Sequence, residues 1–176
     1  MESTVRDVLN FIKENDVKFI RLAFCDLWGN LKNISIMPNQ IEKVFKEGIA
    51  IDGSALEGFQ PIEDSDLFLI PDAKTLDILP WRPSHGRVIR FFCEICSSAH
   101  QPYAMDCRTL LKHKMEELHE QGIQIMSGLE CEFYLFALDE QKRATLQPFD
   151  HGSYLDVFPK DQGEDIRREI CLTLEE

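Results

Sequence analysis

The sequence predicts an α+β protein in two unequal regions. Residues 1–102 read as a small, mostly antiparallel sheet with one or two helices, and residues 103–176 read as the start of a second domain that is incomplete. Three observations carry this. Apolar residues alternate at period two on both sides of a turn near Trp28-Gly29-Asn30. Short amphipathic stripes, opened by polar caps and closed by glycine, lie between the alternating runs. A polar, turn-forming stretch, SSAHQPYAMD, then separates the two regions.

In chain order, STVRDVLNFIKEN places Val5, Val8, Leu9 and Ile12 on one helical stripe, with Thr4 and Asp7 spaced as a capping box. Ile20, Leu22 and Phe24 alternate before the turn and Ile34 and Ile36 after it, which predicts a hairpin. PNQIEKVFKEG predicts a short helix with Asn39 as cap, Ile41, Val44 and Phe45 as stripe, and Gly48 as stop. IAIDGSALEGFQPIEDSD, rich in glycine, proline and acids, predicts an irregular loop. DLFLIPD and LDILPW are short strand-like runs broken by Pro71, Pro80 and Pro83, residues suited to edges and strand ends. GRVIRFFCEIC predicts a strand with Ile89, Phe91, Cys93 and Ile95 inward.

Beyond the break, Asp106 is the expected cap of a helix CRTLLKHKMEELHEQ, with Leu111, Met115 and Leu118 buried and Gly122 at its end. IQIMSGLECEFYLFAL predicts a strong strand over 123–138. EDIRREICLTLEE predicts a helix with Ile166, Ile170 and Leu174 in register and no stop signal. One helix, one strand and a cut helix are too little for an independent core. The sequence is therefore expected to be the N-terminal part of something longer.

With 176 residues, 19 Lys+Arg against 31 Asp+Glu and a net charge of −12, the composition is that of a globular chain with excess acid. Acid spread along the chain argues against nucleic acid and anionic membranes as partners, and is compatible with divalent cations and cationic substrates. No run reaches the eighteen or so apolar residues of a membrane span, and MESTVRD lacks the basic start and apolar stretch of a secretory signal, so the cytoplasm is the expected compartment. Six cysteines then read as free thiols.

The sharpest chemical feature is Gly-Leu-Glu-Cys-Glu-Phe-Tyr-Leu-Phe. On a strand, Glu130 and Glu132 share a face with Tyr134 and Phe136, roughly 6.5–7 Å apart along the chain. Two carboxylates so placed repel unless a hard divalent ion such as Mg²⁺ or Mn²⁺ takes their oxygens. The alternative is a solvated strand face, which the two aromatics weaken. Asp52, in Ile51-Asp52-Gly53-Ser54, reads either as a side-chain turn or as an acid presented from a loop. Cys93-Glu94-Ile95-Cys96 has metal spacing, but no second CxxC follows, His100 is a lone further candidate, and residues three apart on a strand face opposite ways. Structural thiols are expected there. No GxGxxG, GxxxxGK[ST] or GxSxG occurs.

Taken together, KFIRLAFCDLWGNLKNISI, IDGSALEGF, DSDLFLIPD, GLECEFYLF and GSYLDVFPKDQGEDIRREICLTLEE resemble, in order and spacing, the N-terminal portion of the glutamine synthetases of bacterial class I. The resemblance spans nearly the whole sequence. It implies a β-grasp N-terminal domain, then the truncated start of a catalytic domain of antiparallel strands with flanking helices. It implies metal-ligand roles for Glu130 and Glu132, one for each of two Mg²⁺ or Mn²⁺ ions serving ATP. It makes Asp52 the loop acid that binds and deprotonates ammonium in a neighbouring subunit's site, and Tyr154 a residue lining that ammonium pocket. The implied reaction joins ammonia to glutamate through a γ-glutamyl phosphate, in a homo-oligomer built as a double hexameric ring. Two carboxylates do not satisfy two ions that each want about six oxygens, so this chain is expected to be inactive alone. Ala55 stands where the family has a second serine, Gln60-Pro61 where many relatives carry a basic residue, and Leu129 and Cys131 where prolines are common. A glutamate–amine ligase acting on a polyamine, and a shortened non-catalytic relative that binds synthetase subunits, are the competing readings.

Overall fold

The computed structural model describes residues 4–81, 86–97 and 101–175. Its contacts divide the chain into two compact units, Met1–Ile125 and Met126–Glu176.

In the first unit, helix α1 (Val5–Glu14) begins with the expected reciprocal cap: Asp7 N–H donates to Thr4 Oγ1 at 3.3 Å, and Thr4 N–H donates to Asp7 Oδ2 at 2.9 Å. Val8 and Ile12 are buried beneath it. Strands β1 (Val17–Cys25) and β2 (Leu31–Ile36) form the expected hairpin, with Ile20 opposite Ile36 and Leu22 opposite Ile34. Asp26 holds the connecting loop, its Oδ1 accepting from the backbone N–H groups of Trp28 (3.0 Å) and Asn30 (2.8 Å).

Helix α2 (Ile41–Glu47) buries Ile41 and Val44 and stops at Gly48, whose φ of 71° lies in the left-handed region. Asn39 is not its cap. A 3₁₀ turn at Pro38–Gln40 precedes the helix, and Gln40 Oε1 accepts the Met37 N–H at 3.2 Å, so the chain turns earlier than the asparagine suggested. Strand β3 (Ile49–Asp52) replaces the first residues of the expected irregular loop. It pairs antiparallel with β4 (Asp66–Pro71), whose proline stands at the strand end as expected.

Strand β5 (Asp77–Ile78) and the long β6 (Arg87–Ser97) complete a six-stranded sheet in the order β2-β1-β6-β4-β3, with β5 also on β6. All these pairings are antiparallel except β1 with β6, which is parallel. Ile89, Phe91, Cys93 and Ile95 are wholly buried, as the period-two pattern predicts. They join Ile20, Leu22, Leu67 and Leu69 in one core, with Phe45 edge-on to Phe91 at 5.6 Å between centroids. Pro83 and His100 lie outside the described residues.

Helix α3 (Cys107–Glu120) is capped by Asp106 as predicted, and Gly122 follows its end at a φ of 73°. Its predicted buried stripe is not buried: Leu111 and Met115 are exposed and Leu118 only half-covered. The helix meets β1 and β6 through its first turn, where Asp106 and Thr109 are buried. The whole of α3 lies within the first unit.

The second unit contains β7 (Phe136–Leu138), β8 (Ala144–Pro148) and α4 (Glu164–Glu175). The strand expected over 123–138 forms only at β7. A strand persists where its N–H and C=O groups find a ladder partner, and β8 pairs with β7 alone. Of the described residues from 126 onward only Gly163 is buried, and Ile166, Ile170 and Leu174 are exposed on α4. No helix among the described residues is long and apolar enough to cross a membrane.

Candidate functional site

Asp52 is placed by the sheet. It ends β3 opposite Asp66 of β4, and the chain then tightens into a 3₁₀ turn at Gly53–Ala55. Gly53 N–H donates to Ser65 O at 2.7 Å, drawing the turn against β4. Asp52 Oδ1 accepts both the Ser54 N–H (2.9 Å) and the Ser54 hydroxyl (2.6 Å). The Ser54 hydroxyl, then its amide, hold the Asp52 carboxyl below the usual carboxylate range against a small opposing effect of burial. The side-chain turn and the presented acid are thus both present: the bonds that make the turn also fix and ionise an exposed carboxylate.

Gly53 is required here by space. A Cβ on it would stand 2.7 Å from Leu67 Cδ1 and 3.1 Å from Ser65 O, and Leu67 is wholly buried. Gly53→Ala is expected to cost about 1–3 kcal/mol by overpacking. A chemical denaturation midpoint equal to that of the parent chain would contradict this close approach.

In the second unit an open cleft of about 1220 Å³ is lined by Glu132 and Tyr154 together with Asp150, Asp156, Asp161 and Arg167. Glu130 is exposed and does not line it. The paired-strand geometry expected for the two glutamates is therefore absent: residues 130 and 132 lie before β7, in backbone without a ladder, and do not share a strand face. Asp52 belongs to the first unit, and Glu132 and Tyr154 to the second.

Among the described residues no group of three or more His, Cys, Asp or Glu side chains comes together to hold a metal ion. The carboxylates are of the right hard-oxygen type for Mg²⁺ or Mn²⁺, but two acids alone do not fill the coordination that such an ion demands. Cys93 and Cys96 are buried free thiols, and burial pushes the Cys93 thiol up to about 12.

The sequence reading missed the order within this cleft. Arg167 pairs with Asp161, and that guanidinium holds the Asp161 carboxyl below its ordinary range. Asp150 accepts the N–H groups of Gly152 (3.1 Å) and Gln162 (2.8 Å). The Asp161–Arg167 spacing of six residues crosses a loop into α4 and matches no local motif, whereas Asp150 before a glycine is an ordinary turn signal.

Two family models match the chain: the glutamine synthetase β-grasp domain over residues 16–98, and the glutamine synthetase catalytic domain over residues 104–176. A glutamine synthetase of Clostridium saccharobutylicum is 43% identical over 173 residues, 98% of this chain and 39% of that protein. One of Staphylococcus aureus (strain Mu50) is 40% identical over 174 residues, again 98% of this chain and 39% of its own length. The chain thus spans about two-fifths of these relatives. Among solved structures, Plasmodium falciparum glutamine synthetase superposes with a TM-score of 0.74 at 19% identity, covering 99% of this chain and 41% of that one. GmaS without ligand gives 0.70 at 21% identity, covering 97% and 39%. At these identities the two structures speak for the fold, and the family models with the relatives at 40–43% speak for descent. The chain belongs to the glutamine synthetase family.

Proposed function

We propose that this chain supplies the ammonium-binding loop and the first metal-binding acids of an ATP-dependent glutamate–ammonia ligase. In that reaction the terminal phosphoryl group of ATP passes to the γ-carboxylate of glutamate, and ammonia displaces phosphate from the acyl phosphate. The observation that carries the reading is Asp52: an exposed carboxylate, fixed by Ser54 and held ionised, at the position where the family has its ammonium acid. An ionised acid attracts NH₄⁺ and then accepts its proton, freeing the nucleophile. Tyr154 lines the ammonium pocket in this reading.

Mg²⁺ or Mn²⁺ would offset charge on ATP and on the transferred group. In a polypeptide of the relatives' length, Glu130 and Glu132 would be two of their ligands and further donors would complete the coordination. The same reading places the chain in the cytoplasm, in a homo-oligomer arranged as a double hexameric ring.

Two measurements test this. The purified 176-residue chain is expected to form no γ-glutamyl hydroxamate from glutamate, ATP and hydroxylamine, because among its described residues no three acids, histidines or cysteines gather to hold a metal ion. A chimera in which residues 1–176 replace the matching stretch of the Clostridium saccharobutylicum enzyme is expected to retain the reaction. In that chimera, Glu130→Gln and Glu132→Gln should each abolish most activity and weaken the response to Mg²⁺. An assembled chimera with no ligase activity, or one indifferent to both substitutions, would overturn the assignment.

A further inference from the structure

A small cavity in the first unit, about 260 Å³, lies between the end of β1, the middle of β6 and the start of α3. Three of its lining side chains are cysteines, Cys25, Cys93 and Cys107, and Phe24, Phe92 and Leu111 make most of the rest. The Cys107 thiol sits 3.7 Å from the carbonyl oxygen of Asp26, the residue that follows Cys25. We propose that Cys25 and Cys107 form a dithiol modification site that low-molecular-weight disulfides such as glutathione disulfide oxidise to an intramolecular disulfide.

Three facts choose this pair. Cys25 and Cys107 are half-exposed, so a small disulfide reaches them, while Cys93 is wholly buried. Burial pushes the Cys93 thiol up to about 12, which removes its reactive thiolate at neutral pH. Cys131 and Cys171, though exposed, belong to the other unit, where Cys131 lines the open cleft without a second cysteine.

Cys107, the first residue of α3, makes the first attack and Cys25 resolves it; burial, and then the neighbouring Cys107 thiol, raise the Cys25 thiol. The Cys107 thiol gives up its proton and attacks one sulfur of the small disulfide. That S–S bond breaks, one small thiol leaves with a proton, and a mixed disulfide forms on Cys107. The Cys25 thiol then attacks Cys107 Sγ, the mixed disulfide breaks, and the second small thiol leaves with the proton from Cys25. Two protein thiols are oxidised and one small disulfide is reduced to two thiols.

The 176-residue chain is incubated folded with glutathione disulfide, quenched with acid, alkylated and digested without reductant. The expected result is a peptide pair joined through Cys25 and Cys107, with Cys93 alkylated only after denaturation. In Cys25→Ser the link vanishes and Cys107 carries glutathione as a trapped mixed disulfide. In Cys131→Ser and Cys171→Ser the link persists. The proposal is overturned if Cys25 and Cys107 both remain alkylatable to the extent seen without glutathione disulfide, if each carries its own glutathione, or if Cys25→Ser leaves Cys107 unmodified while its circular dichroism matches the parent's.

Discussion

Asp106→Ala is expected to lower the stability of the first unit by about 3 kcal/mol, the largest effect we foresee for any polar residue in the chain. Asp106 is 1% exposed, and its carboxylate ties β6 to the first turn of α3. Its Oδ2 accepts from the Ile95 N–H of β6 (3.2 Å), the Thr109 N–H (3.2 Å) and the Thr109 hydroxyl (2.6 Å). Its Oδ1 accepts the Arg108 N–H at 3.2 Å. Alanine removes the N-cap of α3 and also strands the Ile95 amide inside the sheet, where water does not replace the lost acceptor. For a chain of this length the loss corresponds to a fall in Tm of roughly 6–12 °C. Asp106→Asn, which keeps one acceptor oxygen, should fall between the two. Thermal melts followed by circular dichroism decide it, and a drop under about 2 °C for the alanine variant would show that the carboxylate is not the tie we describe.

Asp52→Ala, placed in the chimeric synthetase, is expected to reduce ligation about 10²–10⁴-fold, the range for loss of a positioned proton acceptor. Asp52→Asn separates charge from shape. An asparagine oxygen still accepts the Ser54 N–H and preserves the turn, but it neither attracts ammonium nor takes its proton. Both variants should therefore fail alike and show a raised KM for ammonium, while assembly and melting stay near those of the parent chimera. If the asparagine variant keeps full activity, Asp52 is a turn residue and no more. Because Ser54 holds this carboxyl below the ordinary range, it remains ionised as pH falls through 5. Hence no acid limb from Asp52 should appear in a rate profile between pH 5 and 8.

The parts of the fold legible in the sequence were those whose partners lie within the chain. The run Ile89-Phe91-Cys93-Ile95 alternates because one face of β6 rests on the core, and the pattern reports that face directly. Thr4 with Asp7, Asp106 and Gly48 were legible because a cap is a local bargain between a side chain and the backbone beside it. Strand β3 was hidden because Ile49–Asp52 is short and runs into a glycine-rich turn, and only β4 makes it a strand.

The stripe of α3 shows the opposite limit. Leu111, Met115 and Leu118 mark which face of a helix is apolar, but periodicity does not say what covers that face. The same holds at the candidate site. Asp52 and Ser54 are two residues apart, so their geometry could be read from spacing. The joint placement of Glu130 and Glu132 depended on a ladder that β8 does not extend to them, and there the alternating pattern promised a face that the backbone does not form.

The parallel pairing of β1 with β6 bears on how such a chain matures during synthesis. Ile20 leaves the ribosome early, yet its neighbour in the sheet is Ile89, and Leu22 likewise waits for Phe91. The β1–β2 hairpin, made of consecutive segments, is available first, with its inner edge bare until β6 emerges. Loop closure over that separation is a slow event compared with hairpin formation. The interval of vulnerability for a nascent copy is therefore set by translation across residues 37–97, and a pause in that window would prolong the lifetime of an open strand edge.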